Sequence, residues 1–298
     1  MSERLFITDY IGYANERLEK LLSDEKIEPK LREAMWYSVS AGGKRVRPVL
    51  NMLANRLFDG DIDETMDMAC AIEMIHTYSL IHDDLPALDN DNLRRGKPTN
   101  HIVHGEAFAI LAGDGLLNMA FEVMLANAVK YPSNAQKHLK AMSYIASAVG
   151  VTGMISGQCA DIMYEDVDEK DIDIEVVGKI HANKTGKLIT ASLMSGALLT
   201  DATEDELKTV EKFGKKIGLA FQVADDILDV VGDEKKLGKS AGKDAEAGKV
   251  TYPHVYGLEN SIKIADDLIA EAKDCMSIFG KKSNDLVLLA EYFVKRIN

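Results

Sequence analysis

Two acidic clusters set inside apolar helical runs are the feature that most constrains this chain. The first is His82-Asp83-Asp84-Leu85-Pro86-Ala87-Leu88-Asp89, at the inner end of the run Met68 to Ile81. Adjacent aspartates there cost free energy unless cations meet them. Oxygen-only ligands favour a hard ion, Mg²⁺ before Zn²⁺. Pro86 predicts a kink or helix end, so Asp89 approaches at an angle that plain helical spacing would not give. The second cluster is Gln222-Val223-Ala224-Asp225-Asp226-Ile227-Leu228-Asp229. Positions 222, 225, 226 and 229 recur at i, i+3, i+4 and i+7 and form one stripe on an otherwise apolar helix. Such a stripe should face an internal polar cavity, and the two clusters would face each other across it.

The remaining pattern is helical. The 298 residues are 46% hydrophobic, enough for a sizeable core. A net charge of -13 argues against nucleic acid or anionic membrane as the main partner. Cys70, Cys159 and Cys275 form no Cys-x-x-Cys pair, as expected of reduced thiols in a cytoplasmic protein. The mixed N-terminus does not resemble a signal peptide. The apolar stretch Ala107 to Val129 is interrupted by Asp114 and Glu122, so it is expected to be a buried helix rather than a membrane span. Helices are predicted from Ile7 to Leu22, from Pro29 to about Val39, over 48–58, 64–84, 105–130, 135–162, 174–200, 204–231, 253–279 and 284–296, with no credible sheet. A single all-α domain over 1–298 is the expectation.

Basic residues accompany both clusters. Gly42-Gly43-Lys44-Arg45-Val46-Arg47-Pro48 puts glycines and cations at a helix start, which suits either anion binding or an ordinary surface turn. His76 lies seven residues before Asp83, two turns back on the same face, where a core role and a substrate contact are both open. Arg94-Arg95-Gly96-Lys97 follows the first cluster directly; either it completes a metal–phosphate site or it pairs internally with the aspartates. Asn183-Lys184-Thr185-Gly186 offers a further cation and hydroxyl, and Gln158 and Asp161 are polar interruptions that can face the same cavity. Residues 232–249, rich in Gly and Lys, read as a mobile phosphate-covering loop. Gly232 to Ser240 superficially suggests a nucleotide P-loop, but the glycine spacing is one residue too long and no strand precedes it.

These motifs, in order and across nearly the whole chain, resemble those of bacterial short-chain trans-prenyl diphosphate synthases, the polyprenyl synthetase family. The matching segments are Gly43 to Pro48, Glu73 to Asp84, Arg94-Arg95-Gly96, Lys184-Thr185, Phe221 to Asp229 and Gly238-Lys239. The resemblance implies antiparallel helices around a deep cavity, a homodimer, and head-to-tail condensation of isopentenyl diphosphate with an allylic diphosphate. By position, Lys44, Arg47, His76 and Arg95 would hold isopentenyl diphosphate, and Arg94, Lys184, Thr185, Gln222 and Lys239 the allylic diphosphate. Asp83, Asp84, Asp89, Asp225, Asp226 and Asp229 would bind three Mg²⁺, some through water. Asn90, Asn92, His104 and Gly115 depart from the common pattern.

The resemblance also bears on product length. A bulky side chain about one turn before Asp83 can act as the floor of the chain tunnel. Helical arithmetic favours Ser79, about 40° from Asp83 around the axis, over Tyr78 at about 140°. The resemblance favours Tyr78, since farnesyl-producing relatives carry an aromatic there. Farnesyl diphosphate is the expected product and geranylgeranyl diphosphate the alternative. A terpene cyclase, or a non-catalytic subunit of the same fold, is the more distant reading.

Overall fold

The computed structural model describes residues 5–164, 174–231 and 251–295. Local signals start the first helices. α1 (Leu5–Leu22) buries Ala14, Leu18 and Leu22 along one stripe. α2 (Pro29–Ser40) opens on proline, and the Glu28 carboxylate accepts the Leu31 N–H at 3.0 Å. α3 (Val46–Leu57) follows the Gly42-Gly43 turn. α4 (Ile62–Asp83) starts at Asp61, whose side chain accepts from the Asp63 N–H, and carries Asp63 and Glu64 in its first turn, where the helix dipole favours negative charge.

The rest of the chain is α5 (Asn100–His104), α6 (Glu106–Lys130), α7 (Ala135–Val149), α8 (Met154–Tyr164), α9 (Ile174–His181), a π turn (Ala182–Gly186), α10 (Lys187–Leu198), α11 (Glu204–Val231), α12 (Tyr252–Tyr256), α13 (Leu258–Met276) and α14 (Asn284–Val294). The helix expected over 253–279 is two, α12 and α13, parted at Gly257 (φ 76°), and α5 lies where no helix is expected. Three further features differ. The helix expected over 135–162 is two helices, parted by a turn in which the Gly153 N–H bonds the Gly150 carbonyl at 3.0 Å. The helix expected over 174–200 contains the π turn. A minimal sheet also exists: β1 (Leu93–Arg94) pairs antiparallel with β2 (Lys97–Pro98) around Arg95 (φ 54°) and Gly96 (φ 75°), the positive-φ pair of a tight hairpin.

α10 lies at the centre. Every residue from Leu188 to Ala197 is buried, because α3, α7 and α11 surround it. Its polar side chains are satisfied locally: the Thr190 and Ser192 hydroxyls donate to carbonyls one turn back. A buried polar chain then ties three helices. The Thr65 hydroxyl donates to Asn51 Oδ1 at 2.7 Å, and Asn51 Nδ2 donates to Ser195 Oγ at 2.9 Å. One apolar core fills the space between α1, α2, α4, α6 and α7; a second joins α3, α10, α11, α13 and α14. The expectation of a buried helix over 107–129 holds for only one face of α6. Ala109, Ala112, Leu116, Ala120 and Met124 are buried, and Ile110, Leu111, Leu125 and Val129 are exposed.

Asn51→Ala strips partners from Thr65 and Ser195. It should lower unfolding stability by about 1–3 kcal/mol in urea titration. Asn118→Ala, on the exposed face of α6, should change stability by no more than about 0.5 kcal/mol.

Candidate active site

α4 ends where the first acidic cluster begins, and the chain then doubles back. The Asp89 N–H bonds the Asp83 carbonyl at 2.9 Å, so the Pro86 turn returns Asp89 to the helix end. The three carboxylates have different neighbours. Asp84 is buried and gripped by Arg94 of β1, with Nε at 2.7 and 2.9 Å and Nη2 at 2.5 Å. Internal Asp–Arg pairing, one of the two readings of the basic loop, therefore applies to Arg94. Burial pushes the Asp84 carboxyl up to about 6, even against Arg94. Burial is the largest single influence on Arg94 and lowers it, but the hydrogen bond to Asp84 and the charges of Asp84, Asp83 and Asp91 together raise the guanidinium. Asp83 is less deeply set. It accepts from Gln158 Nε2 at 2.5 Å and lies 3.6 Å from the Lys184 ammonium, which is closer to Asp161 at 2.6 Å.

The second cluster runs along α11 as a stripe. Gln222 and Asp225 are half-buried; Asp226 and Asp229 are buried. Asp226 is held by the protein itself. Its Oδ2 accepts the Tyr252 N–H at 3.1 Å and lies 3.7 Å from His181 Nε2, and its Oδ1 lies 3.3 Å from Gln222 Nε2. His181 stacks on the Tyr252 ring, and burial pushes its imidazole down to about 4. His181 meets Asp226 and Lys184 meets Asp83, and only two residues separate them. One turn of chain thus contacts both clusters and ties them into one polar centre.

The third group is cationic. His76 is held well below the ordinary histidine range, first by burial and then by Arg47, Arg95, Arg94 and Arg45. A neutral imidazole amid arginines can donate a hydrogen bond without adding charge. Burial lowers Arg47 to about 10, so it remains protonated at neutral pH, and its Nε has no acceptor among the described residues. Burial also lowers Arg95, whose guanidinium donates to the Gly42 carbonyl. Lys44 is exposed at the mouth of the turn. Arg45 has a different task. At φ 47° it starts α3 and turns inward to Glu73 (2.8 Å), Asn15 (2.8 Å) and the Val39 carbonyl (2.5 Å), which fixes the turn that presents Lys44 and Arg47.

Other predicted positions sort as follows. Thr185 lies in the π turn beside Lys184. Lys239 and the loop over 232–249 lie outside the described residues. The Ser79 hydroxyl donates to the His76 carbonyl at 2.8 Å. Tyr78 is buried in the first core, its ring edge-on to His82 at 5.7 Å. Asn90 takes a left-handed backbone, which asparagine tolerates, and the Asn92 carbonyl accepts the Thr99 N–H. His104 packs edge-on to Tyr37, and Gly115 faces Met35 and Leu31 of α2. Little in the sequence pattern marks His181, Tyr252 or Asp91, the last at 3.7 Å from Arg94. His181 alone left a trace: it is one more polar residue just before Lys184.

The donor set fits a hard divalent ion. Asp83, Asp84 and Asp226 each accept from protein donors, and Asp83, Asp89 and Asp225 are half-buried rather than buried. Among the described residues no three His, Cys, Asp or Glu side chains converge as a ready-made cage. Mg²⁺ takes one or two carboxylates and completes its shell with water and substrate phosphate, so half-buried aspartates could hold it without a closed cage.

His181 and Asp84 act oppositely on acid stability. The histidine's folded value, about 4, lies below its ordinary 6.5, so the unfolded chain binds more protons and stability falls as pH drops through that window. Asp84, raised to about 6, gains stability as pH falls between about 6 and 4. His181→Gln removes only the first effect. Urea titration at stepped pH should show the variant losing less stability than the parent between pH 6.5 and 4.

The family model described as polyprenyl synthetase matches residues 28–285. A geranylgeranyl diphosphate synthase of Cyanophora paradoxa is 46% identical over 89% of this chain and 87% of its own length. A solved geranyltransferase of Legionella pneumophila superposes with a TM-score of 0.89 at 34% identity, covering 99% of this chain and 97% of that one. An FPP/GFPP synthase of Zymomonas mobilis superposes at 0.86 and 32% identity, covering 98% of each. The chain therefore belongs to the polyprenyl synthetase family, as a trans-prenyltransferase with the all-α isoprenoid synthase fold.

Proposed function

We propose that this chain condenses isopentenyl diphosphate head-to-tail with an allylic diphosphate and releases diphosphate. The supporting observation is the meeting of two carboxylate clusters with two separate groups of cations. Lys44, Arg47, His76 and Arg95 hold isopentenyl diphosphate. Arg94, Lys184, Thr185, Gln222 and Lys239 hold the allylic diphosphate. Asp83, Asp89 and Asp225 would hold Mg²⁺ directly, and Asp84, Asp226 and Asp229 would orient the site. Bound Mg²⁺ would neutralise the charge that develops on the departing diphosphate. Lys184 and Arg94 add to that stabilisation. The allylic C–O bond breaks, the alkene of isopentenyl diphosphate attacks the cation, and a proton leaves the new chain. Apolar walls keep water from the cation. No side chain stands out as the base; in the family, the released diphosphate is the usual candidate.

We further propose that the product stops at fifteen or twenty carbons and that Tyr78 decides between them. The name of the Cyanophora paradoxa relative favours the twenty-carbon product. So do the names of further relatives from Arabidopsis thaliana and Catharanthus roseus, so twenty carbons is the better-supported product; the fifteen-carbon reading rests on the aromatic side chain at Tyr78. The exposed apolar face of α6 supports a homodimer that covers it, and three unpaired cysteines support a reducing, cytoplasmic setting.

Three measurements test these readings. With isopentenyl and dimethylallyl diphosphates plus Mg²⁺, Asp83→Ala or Asp225→Ala should lower turnover by orders of magnitude, and near-normal rates would overturn the mechanism. Arg47→Ala should raise KM for isopentenyl diphosphate about ten-fold or more, as loss of a charged hydrogen bond worth about 1.5–3 kcal/mol requires. Chromatography of the products should show longer chains from Tyr78→Ala than from the parent; an unchanged distribution removes Tyr78 from the floor.

A further inference from the structure

Lys184 sits in the only π turn among the described residues, Ala182–Gly186. Such turns are uncommon and persist where neighbouring structure holds them. Here two helices press on it through glycine. A Cβ on Gly157 of α8 would stand 2.7 Å from the Lys184 Cα and 2.8 Å from the Asn183 carbonyl carbon, and would overlap the Lys184 nitrogen. A Cβ on Gly218 of α11 would stand 2.9 Å from the Gly186 Cα. The obstructing atoms are backbone, so no side chain can swing aside.

Both helices also carry the partners of the polar centre. Gln158, next to Gly157, donates to Asp83, and Asp161, one turn on, accepts from Lys184. Gln222 lies one turn beyond Gly218. The depth to which the π turn sinks between α8 and α11 therefore sets where the Lys184 ammonium stands relative to Asp83 and Asp161.

We infer that Gly157 and Gly218 are positioning residues for the reaction. Bare of side chains, they let α8 and α11 close on both sides of the π turn and hold Lys184 at the height where it meets the allylic diphosphate. This rests on the assignment of Lys184 to that diphosphate. An added methyl group must push the turn outward. Charged hydrogen bonds to phosphate need separations of about 2.7–2.9 Å. A misplacement of about 1 Å can cost about a hundred-fold.

The test compares Gly157→Ala, Gly218→Ala, Lys184→Ala and the double variant Gly157→Ala/Lys184→Ala. Gly12→Ala, whose added Cβ would meet open space on α1, is the control. KM is measured for geranyl and for isopentenyl diphosphate, with thermal unfolding followed in parallel. The glycine variants should raise KM for geranyl diphosphate about ten-fold or more while KM for isopentenyl diphosphate stays within about two-fold. The double variant should be no worse than Lys184→Ala alone, since the methyl acts only through the lysine. If Lys184→Ala raises the allylic KM and neither glycine variant does, the clamp is overturned and the lysine assignment stands. If Lys184→Ala itself leaves that KM unchanged, the lysine assignment fails and the clamp with it. Equal changes for both substrates, or failure of both glycine variants to fold, would make the contacts merely structural and overturn the proposal. If only Gly157→Ala fails to fold, Gly218→Ala decides.

Discussion

Negative charge held inside an apolar bundle is the constraint on which the rest depends. Asp84, Asp226 and Asp229 are buried, and each such carboxylate costs several kcal/mol to desolvate unless donors surround it. The fold meets that cost with donors from distant parts of the chain. For Asp84, Arg94 comes from a hairpin, and for Asp226 the Tyr252 N–H comes from the start of α12; Gln158 of α8 serves the half-buried Asp83 beside them. Assembly of the polar centre and assembly of the bundle are thus one event. In the folded chain the donors stand within reach of the carboxylates only because the helices that carry them are packed together.

The same logic explains why α3 begins as it does. A buried arginine in a left-handed backbone conformation is an unfavourable way to start a helix. Arg45 holds it because three acceptors converge on its guanidinium, with Glu73 reaching across from α4. The strain at one residue aims the next turn, so Arg47 enters the site with its Nε unsatisfied. A structural cation and a functional cation stand two residues apart, and only tertiary context distinguishes them.

Much of this was legible before any coordinates. Helical periodicity located the helical regions but ran α7 into α8, α9 into α10 and α12 into α13 and missed α5; the stripe at 222, 225, 226 and 229 lies on one helix because a period of 3.6 needs no tertiary information. Pro86 announced the turn that returns Asp89. Features that arise between elements were not legible. Strands of two residues are too short to show alternation, so the Leu93–Pro98 hairpin was invisible. The π turn at Lys184 reflects pressure from Gly157 and Gly218, which are far from it in sequence. The exposed half of α6 is apolar all the same, and composition cannot tell a face turned to the core from one turned to a neighbouring molecule. His181 and Tyr252 were missed because each is an ordinary residue until Asp226 lies beside it.

The small hairpin has a mechanical meaning. Arg94 and Arg95 are consecutive, yet one guanidinium engages Asp84 and the other reaches the Gly42 carbonyl on the opposite side. Their Cα atoms are separated by a single trans peptide, about 3.8 Å. The peptide bond is the stiffest unit in the backbone, so the two backbones move as one while each guanidinium keeps its own side-chain torsions. The hairpin works as a shared mount: whatever displaces the backbone of one arginine displaces the other's, so the end of α4 and the Gly42 turn are coupled through it.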